Sequence, residues 1–297
     1  MILRYFCMTI FLLLPLCGKA QVLPVVDSVY YTGEDRAVFD RFIKEVESEK
    51  SLPTGELTVK AALFFLGVPY VAATLERVPE KLVVNFSGLD CMTLVENTVA
   101  LVRTLQMPSV SFDNFCHVLS LFRYRDNMSE NLSAGLDYTD RLHYTTDWIY
   151  ENQKQGRIKD ITKEIGGKPL AVNLSFMSTH PDSYVQLKDS PERVAKITAK
   201  EKEINTRSYF YLPKEDIGAC ARGIKDGDII CFVTNIKGLD ISHVGIAYWV
   251  GDKLTFIHAS SVAKKVIVNE ESLEAYTKRI KSNAGIMVVR QLSPSLK

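Results

Sequence analysis

The spacing of apolar side chains predicts three helices in the first part of the chain. Apolar residues recur at the 3, 4 and 7 spacing of an amphipathic helix over residues 34–49. A second helix is predicted over 55–66, where Gly67 and a following proline stop it. A third begins at Cys91 and ends before Pro108.

The C-terminal quarter of the chain has the pattern of short strands. Four runs rich in apolar and β-branched residues are separated by turn residues and span 228–234, 242–250, 254–259 and 266–268. Gly251 and Asp252 stand between two of these runs and predict a β-hairpin. Helices followed by an antiparallel meander indicate an α+β fold.

The middle of the chain, from about 112 to 211, mixes one predicted helix over 115–122 with polar loops and aromatic clusters. No Gly/Ser-rich or Pro-rich linker bounds it. We therefore interpret it as an insertion that shapes the substrate site, within a single catalytic domain over 21–297.

The first twenty residues have the organisation of a secretory signal peptide. Arg4 precedes a 13-residue apolar run over 5–17, and Gly18, Lys19 and Ala20 form a small-x-small cleavage site. The run is too short to span a bilayer comfortably. We expect cleavage after Ala20, export to the periplasm or cell envelope, and no stable membrane anchor.

Composition and charge narrow the class of partner. The 297 residues are 46% hydrophobic and 24% charged, which supports a sizeable core and excludes disorder as the main state. Residues 21–297 hold 34 basic and 35 acidic side chains. This near-neutral balance argues against nucleic acid or an anionic membrane as the principal partner.

The cysteines do not have the spacing of a metal site. Four of them follow residue 20, and they are Cys91, Cys116, Cys220 and Cys231. They contain no CxxC pair, so a zinc site is not expected, and they are too few for a disulfide-stapled miniprotein. An oxidising compartment permits a disulfide bridge between them and does not require one.

Cys91 is the first candidate for a reactive side chain, because it follows Asp90 at the start of the third helix. A thiol there meets free N–H groups and the positive end of the helix dipole, which favour the thiolate. A buried structural cysteine fits this position equally well.

Two histidines on neighbouring predicted strands favour the reactive role of Cys91. His243 and His258 lie on either side of the predicted hairpin. Adjacent antiparallel strands bring two such side chains onto one face within contact distance. A cysteine nucleophile needs a base, and the base needs an orienting partner, so Cys91, His243 and His258 supply one residue for each role.

Blocks around these residues resemble the NlpC-type papain-like cysteine peptidases. The blocks are Leu66-Gly67-Val68-Pro69-Tyr70, Leu89-Asp90-Cys91, Ser242-His243-Val244-Gly245-Ile246 and Phe256-Ile257-His258-Ala259-Ser260. The resemblance implies a fold in which the cysteine helix packs on an antiparallel sheet bearing both histidines, and a peptidoglycan substrate. It also implies that the Tyr70 hydroxyl and the Cys91 N–H stabilise an oxyanion.

Further blocks are similar to one branch of that family, the NlpC-like N-acetylmuramoyl-L-alanine amidases. They span 90–96, 141–144, 147–149 and 173–178. Met92 and Thr93 follow the cysteine where the common endopeptidases carry Ser-Gly, which favours the amidase branch. The implied reaction is hydrolysis of the N-acetylmuramoyl-L-alanine amide, with no metal or cofactor. Two alternatives stay open: an endopeptidase that cuts within the stem peptide, such as at the γ-D-glutamyl link to the diamino acid, and a catalytically idle cell-wall binding module.

The aromatic and polar middle segment is expected to line the substrate cleft. Sugar faces stack on aromatic rings, and stem-peptide carboxylates pair with arginine. The candidate substrate contacts are Arg141, His143, Tyr144 and Trp148, with His180 and Tyr184 behind them. Glu96, about one turn after Cys91, either binds substrate or holds an internal donor.

Overall fold

The structure is a computed structural model that describes residues 28–125 and 135–294. The signal peptide predicted over residues 1–20 lies outside these ranges. No helix within the described ranges is long and apolar enough to cross a membrane.

The three predicted N-terminal helices are present. Helix α1 spans Gly33–Val46, α2 spans Thr54–Phe64 and α3 spans Cys91–Leu105. A capping box on Thr32 begins α1. Helix α2 ends two residues before the predicted end, and Gly67 then takes a φ of 83°, the left-handed conformation that favours glycine.

Within the described ranges, ten strands form two sheets. They are β1 Val29–Tyr30, β2 Leu82–Val83, β3 Ile158–Asp160, β4 Lys168–Leu170, β5 Tyr209–Pro213, β6 Ile229–Thr234, β7 Ile241–Val250, β8 Lys253–Ser260, β9 Lys265–Val268 and β10 Asn283–Gln291. β1 and β2 form a parallel pair. The other eight form an antiparallel sheet in the order β4-β5-β10-β6-β7-β8-β9, with β3 also on β10. The predicted hairpin joins β7 to β8, and the α+β prediction is confirmed.

The middle of the chain holds more regular structure than the sequence analysis assigned. Helix α4 spans Phe112–Arg123, α5 spans Thr145–Lys154, α6 spans Phe176–Thr179 and α7 spans Pro191–Ile204. Two short helices follow, α8 over Ile217–Cys220 and α9 over Leu273–Arg279.

Two apolar clusters cover opposite faces of the large sheet. The larger one packs α2 and α3 against one face, through sheet residues such as Val244 and Met287. The other face carries Phe232 and Phe256 and is covered in part by Leu273 of α9. Because neighbouring residues of a strand point to opposite faces, the sheet separates the helical layer from this second cluster.

Candidate active site

Cys91 is the first residue of α3, and a capping box fixes the helix start. The Thr93 N–H donates to Asp90 Oδ1 at 2.8 Å, and the Asp90 N–H donates to Thr93 Oγ1 at 2.9 Å. Asp90 therefore satisfies the N3 amide. The backbone N–H groups of Val244, Met92 and Cys91 lie near enough to the Cys91 thiol to lower its pKa, and Val244 directly follows His243 in β7.

Burial dominates the electrostatics of the Cys91 thiol. Burial, with the nearby Asp90 charge second, raises its pKa to about 12, and the three backbone N–H groups lower it only in part. The helix start was predicted to favour the thiolate. In the structure the thiol form is favoured instead, because desolvation of the anion outweighs the N–H groups.

The two candidate histidines are paired, as the strand positions predicted. Nε2 of His243 lies 2.7 Å from Nδ1 of His258, with the ring planes at 82°. The register of β7 on β8 places Gly245 opposite His258, so the histidines form a diagonal pair on one face. A Cβ on Gly245 would lie 3.3 Å from the His258 Cβ and 2.9 Å from the carbonyl O of Ile257.

Both histidines are held neutral by their surroundings. Burial lowers the pKa of His243 to about 4. Burial, with the neighbouring His243 second, lowers the pKa of His258 to about 3. The rings of Phe232 and Phe256 contact them, with centroid distances of 5.7 Å to His243 and 4.6 Å to His258 respectively. At neutral pH, His243 therefore has an unprotonated ring nitrogen, which a general base requires.

Tyr70 lies beside the start of α3. Its backbone forms a parallel bridge with Leu89, and its N–H donates to the Lys264 carbonyl at 2.9 Å. Burial raises the pKa of the Tyr70 phenol, followed by the charges of Cys91 and Asp90, which lie within electrostatic reach. The hydroxyl is protonated at neutral pH and available as a donor.

Two predicted substrate contacts, Glu96 and Arg141, are engaged in buried ion pairs. Glu96 Oε2 accepts from Arg123 Nε at 2.7 Å. Arg141 Nη2 donates to Glu76 Oε1 at 2.6 Å, and its Nε lies 3.5 Å from Glu80 Oε1. In this arrangement Glu96 holds an internal donor, which was one of its two predicted roles.

Three further candidates also pack within the protein. Tyr144 donates its hydroxyl proton to Glu201 at 2.6 Å, and Trp148 is only 1% exposed. His143 Nε2 lies 2.8 Å from the carbonyl O of Tyr138. Burial, with the charge of Arg141 second, lowers the His143 pKa well below its usual value. The structure thus places the rings of Tyr144 and Trp148 in the core.

His180 and Tyr184 are more accessible. His180 is exposed and stacks on Phe176 with a centroid distance of 4.5 Å. Tyr184 is half-buried, and burial followed by the charges of Glu76 and Glu201 raises its pKa. These two side chains present more surface to a ligand than Tyr144 or Trp148.

Two features next to the histidines were not found by sequence reasoning. Tyr276 of α9 places its ring 5.9 Å from that of His258, and burial raises its pKa, with Arg279 lowering it and Cys91 raising it. Gly245 is the other feature, because its lack of a side chain allows β7 and β8 to approach closely beside His258. Gly245 belongs to the sequence block Ser242-His243-Val244-Gly245-Ile246, and a glycine within a strand could have indicated this close approach. Tyr276 gave none, because its contact depends on how α9 packs.

The described parts of the chain contain no group of three or more His, Cys, Asp or Glu side chains arranged to hold a metal ion.

Comparison with known proteins places this site in a family. Residues 60–286 match the family described as AmiA-like, N-acetylmuramoyl-L-alanine amidase-like. The chain belongs to this family. A search of curated protein sequences gave no match.

Solved structures agree with the family match. An N-acetylmuramoyl-L-alanine amidase from Bacteroides uniformis ATCC 8492 is 39% identical, with a TM-score of 0.75 over 81% of this chain and 99% of its own. A Bacteroides fragilis protein, provisionally named a xylanase, is 38% identical, with a TM-score of 0.72 over 78% of this chain and 100% of its own. A Legionella pneumophila protein, 23% identical, shares the fold with a TM-score of 0.63 over 88% and 97% of the two chains.

Proposed function

We propose that this protein is a cysteine amidase that hydrolyses the bond between the lactyl group of N-acetylmuramic acid and the first L-alanine of the stem peptide. The observation that carries the proposal is the proximity of the Cys91 thiol to the N–H of Val244, the residue after His243, whose ring is paired with His258. The family match supports the choice of bond.

In the first half-reaction the Cys91 thiol gives its proton to His243 as the sulfur attacks the lactyl carbonyl carbon. The Tyr70 hydroxyl and the Cys91 N–H donate to the oxyanion that forms. The C–N bond then breaks, and His243 returns the proton to the leaving amine of L-alanine. A thioester on Cys91 and a free stem peptide result.

In the second half-reaction a water molecule gives a proton to His243 and attacks the thioester carbonyl. The C–S bond breaks, the proton returns to sulfur, and the muramoyl carboxylic acid is released. His258 acts through His243. Its Nδ1 accepts a hydrogen bond from His243 Nε2 and so orients the His243 imidazole during both steps. Since Cys91 starts as a thiol, His243 deprotonates it during attack, and no resting ion pair is required.

The proposal also covers the setting of the reaction. The order of a cysteine helix before a histidine-bearing antiparallel sheet supports membership of the NlpC-type papain-like superfamily. A wall substrate fits the export predicted from residues 1–20. The region over about 112–211 shapes the cleft, with His180 and Tyr184 as its most accessible candidate contacts. Substrate contacts of Glu96, Arg141, His143, Tyr144 and Trp148 would require these side chains to exchange internal partners.

A purified muropeptide that carries both sugar and stem peptide tests the proposal. Mass spectrometry of the digest is expected to find the intact stem peptide and the free muramoyl sugar. Cys91→Ala should yield neither product, while Cys220→Ala, which changes a thiol far along the chain, should match the wild type. The sugar-free stem peptide should remain uncut.

Three results would contradict the amidase assignment. A shortened peptide still attached to the sugar would identify an endopeptidase that uses the same three residues. Release of xylose oligomers from xylan would identify a glycosidase. Tight muropeptide binding by wild type and Cys91→Ala alike, with no product from either, would identify a binding module.

A further inference from the structure

Among the residues that the structure describes, one ring nitrogen of His258 has no hydrogen-bond partner. The residue is 3% exposed, and its Nδ1 faces His243. Its Nε2 is buried and has no partner within residues 28–125 and 135–294. A buried polar nitrogen without a partner costs free energy, so its surroundings decide which protonation state is tolerated.

Aromatic rings pack around the His258 imidazole. The Phe256 ring lies 4.6 Å from the His258 ring, and the Tyr276 ring lies 5.9 Å away at 72°. Tyr276 also contacts Phe256 at 4.9 Å and Phe232 at 5.3 Å, and Phe232 stacks on His243. The two phenylalanines belong to strands of the sheet, whereas Tyr276 comes from α9. Helix α9 thus contributes a ring to the wall around the histidine pair.

We propose that Tyr276 is a positioning residue of the hydrolytic reaction, whose ring excludes water from His258 Nε2 and thereby holds His258 in the tautomer that carries its proton on Nε2. This inference rests on the proposed function, in which His243 is the base. It assigns to α9 a part in preparing that base.

The expected tautomer of His258 follows from how aromatic rings interact with the two forms of an imidazole nitrogen. An N–H directed at rings gains a weak interaction with their π faces, whereas a bare lone pair meets no donor. With its proton on Nε2, His258 presents a lone pair on Nδ1, and His243 Nε2 must donate to it. Neutral His243 then keeps Nδ1 free of a proton, ready to accept the proton of Cys91. One ring contact therefore sets the proton positions of both histidines.

The charged and titratable groups near the histidine pair come from β7, from the start of α3, and from α9 with the residue Glu271 before it. Strand β9 presents Ile267 opposite His258. The other groups are His243 from β7, Cys91 and Asp90 at the start of α3, Tyr276 and Arg279 from α9, and Glu271, which pairs with Arg279. Arg279 lies over the Tyr276 ring, 5.3 Å from its centroid, and the Tyr276 ring lies 5.9 Å from that of His258.

The test compares Tyr276→Phe, Tyr276→Leu and Tyr276→Ala in the full chain by ¹⁵N NMR of the histidine side chains, which reports tautomer and titration directly. Tyr276→Phe keeps the ring, so its nitrogen shifts should equal those of the wild type and its kcat should stay within about twofold. Tyr276→Ala admits water to Nε2, so His258 should become a mixture of tautomers. Its kcat should fall about 10- to 100-fold with KM nearly unchanged.

Tyr150→Ala is the matched control, since Tyr150 on α5 also lies beneath an arginine, with Arg207 3.8 Å from its ring centroid. It should alter neither the nitrogen shifts nor kcat. Tyr276→Leu keeps most of the apolar volume and serves as the second variant in case Tyr276→Ala does not fold. Its effect on the nitrogen shifts and on kcat should be intermediate.

Two results overturn the proposal. Histidine nitrogen shifts that stay unchanged in both Tyr276→Ala and Tyr276→Leu would show that the ring positions nothing. Loss of kcat in Tyr276→Phe as large as in Tyr276→Ala would assign the effect to the hydroxyl. Failure of the proposed function looks different: the wild type would not cleave muropeptide, yet the nitrogen shifts would still respond to Tyr276→Ala.

Discussion

Glu96 and Arg123 form a buried ion pair about one helical turn after Cys91, the candidate nucleophile. Arg123 Nε donates to Glu96 Oε2 at 2.7 Å, and its Nη1 donates to the carbonyl O of Val83 at 2.6 Å. Neither charged side chain is more than 3% exposed. The contacts join α3, α4 and β2, so the pair fixes the helix that carries Cys91 against its neighbours.

Glu96→Ala is expected to destabilise the fold strongly, because it leaves the Arg123 guanidinium buried without its partner. The free energy of unfolding should fall by about 3–5 kcal/mol, measured by urea denaturation. Glu192→Ala, which removes an exposed partner of Lys196, should cost less than about 1 kcal/mol. A Glu96→Ala protein of wild-type stability with a raised KM would instead assign Glu96 to the substrate.

The three proposed catalytic residues should differ in the size of their effects on kcat. Cys91→Ala and His243→Ala are each expected to lower kcat by about 10⁶, and the double variant should be no worse, because the residues act as a unit. His258→Ala should cost about 10⁴, since it acts through His243.

His117→Ala, a change at an exposed histidine of α4, serves as the control for these variants and should leave kcat unchanged. Muropeptide turnover at saturating substrate measures all of them. Equal losses from His258→Ala and His243→Ala would reject the orienting role of His258.

The pH profile should extend further to the acid side than that of an ordinary histidine base. Burial lowers the pKa of His243 to about 4, so acidification protonates and inactivates it only near that pH. The acid limb of kcat/KM, which reports the free enzyme, should therefore lie near pH 4 rather than 6.5. The Cys91 thiol, with a pKa of about 12, should add no rise between pH 7 and 9.

Incubation at each pH followed by assay at pH 7 separates reversible titration from unfolding. An acid limb that stays near pH 6.5 after this correction would show that His243 is solvated in the working enzyme. An increase in activity that follows thiolate formation between pH 7 and 9 would contradict the raised pKa of the Cys91 thiol.

Gly245 should tolerate no side chain, because of its position opposite His258. A Cβ there would lie 2.9 Å from both the Ile257 carbonyl O and Phe256 Cδ2. Gly245→Ala should lower stability by about 1–3 kcal/mol and reduce kcat by displacing the imidazole. Gly33→Ala, where a Cβ meets nothing within 4 Å, should be neutral in thermal denaturation and turnover assays. Unchanged turnover in Gly245→Ala would show that the histidine pair tolerates displacement.

The elements that carry the candidate residues were predictable because each has a strong local signal. Asp90 before an apolar repeat marks a helix start, and Gly251 with Asp252 marks the hairpin that pairs the histidines. Helix α7 was missed since polar residues dominate it and only Ile197, Glu201 and Ile204 are buried. Short apolar patterns of this kind do not separate a helix from a loop.

The protonation states of the site were less predictable from the sequence than the residues that form it. Desolvation of Cys91 depends on the sheet and loops that cover it, and no local pattern encodes that cover. The same holds for the ring of Tyr276, which reaches His258 through packing of a seven-residue helix. The sequence thus indicated which groups meet, and tertiary packing determines which protonation states they hold.

Strand β10 gives this enzyme a built-in order of assembly. It is the last strand within the described residues, yet it lies between β5 and β6 and also pairs with β3. In a nascent chain that does not yet include residues 283–291, β6 has no partner on one side. The pairing of β10 with β6 joins residues distant in sequence, and such pairings form slowly. The sheet that carries both histidines is therefore completed only after residues 283–291 have been made, so shorter partial chains lack the assembled candidate site.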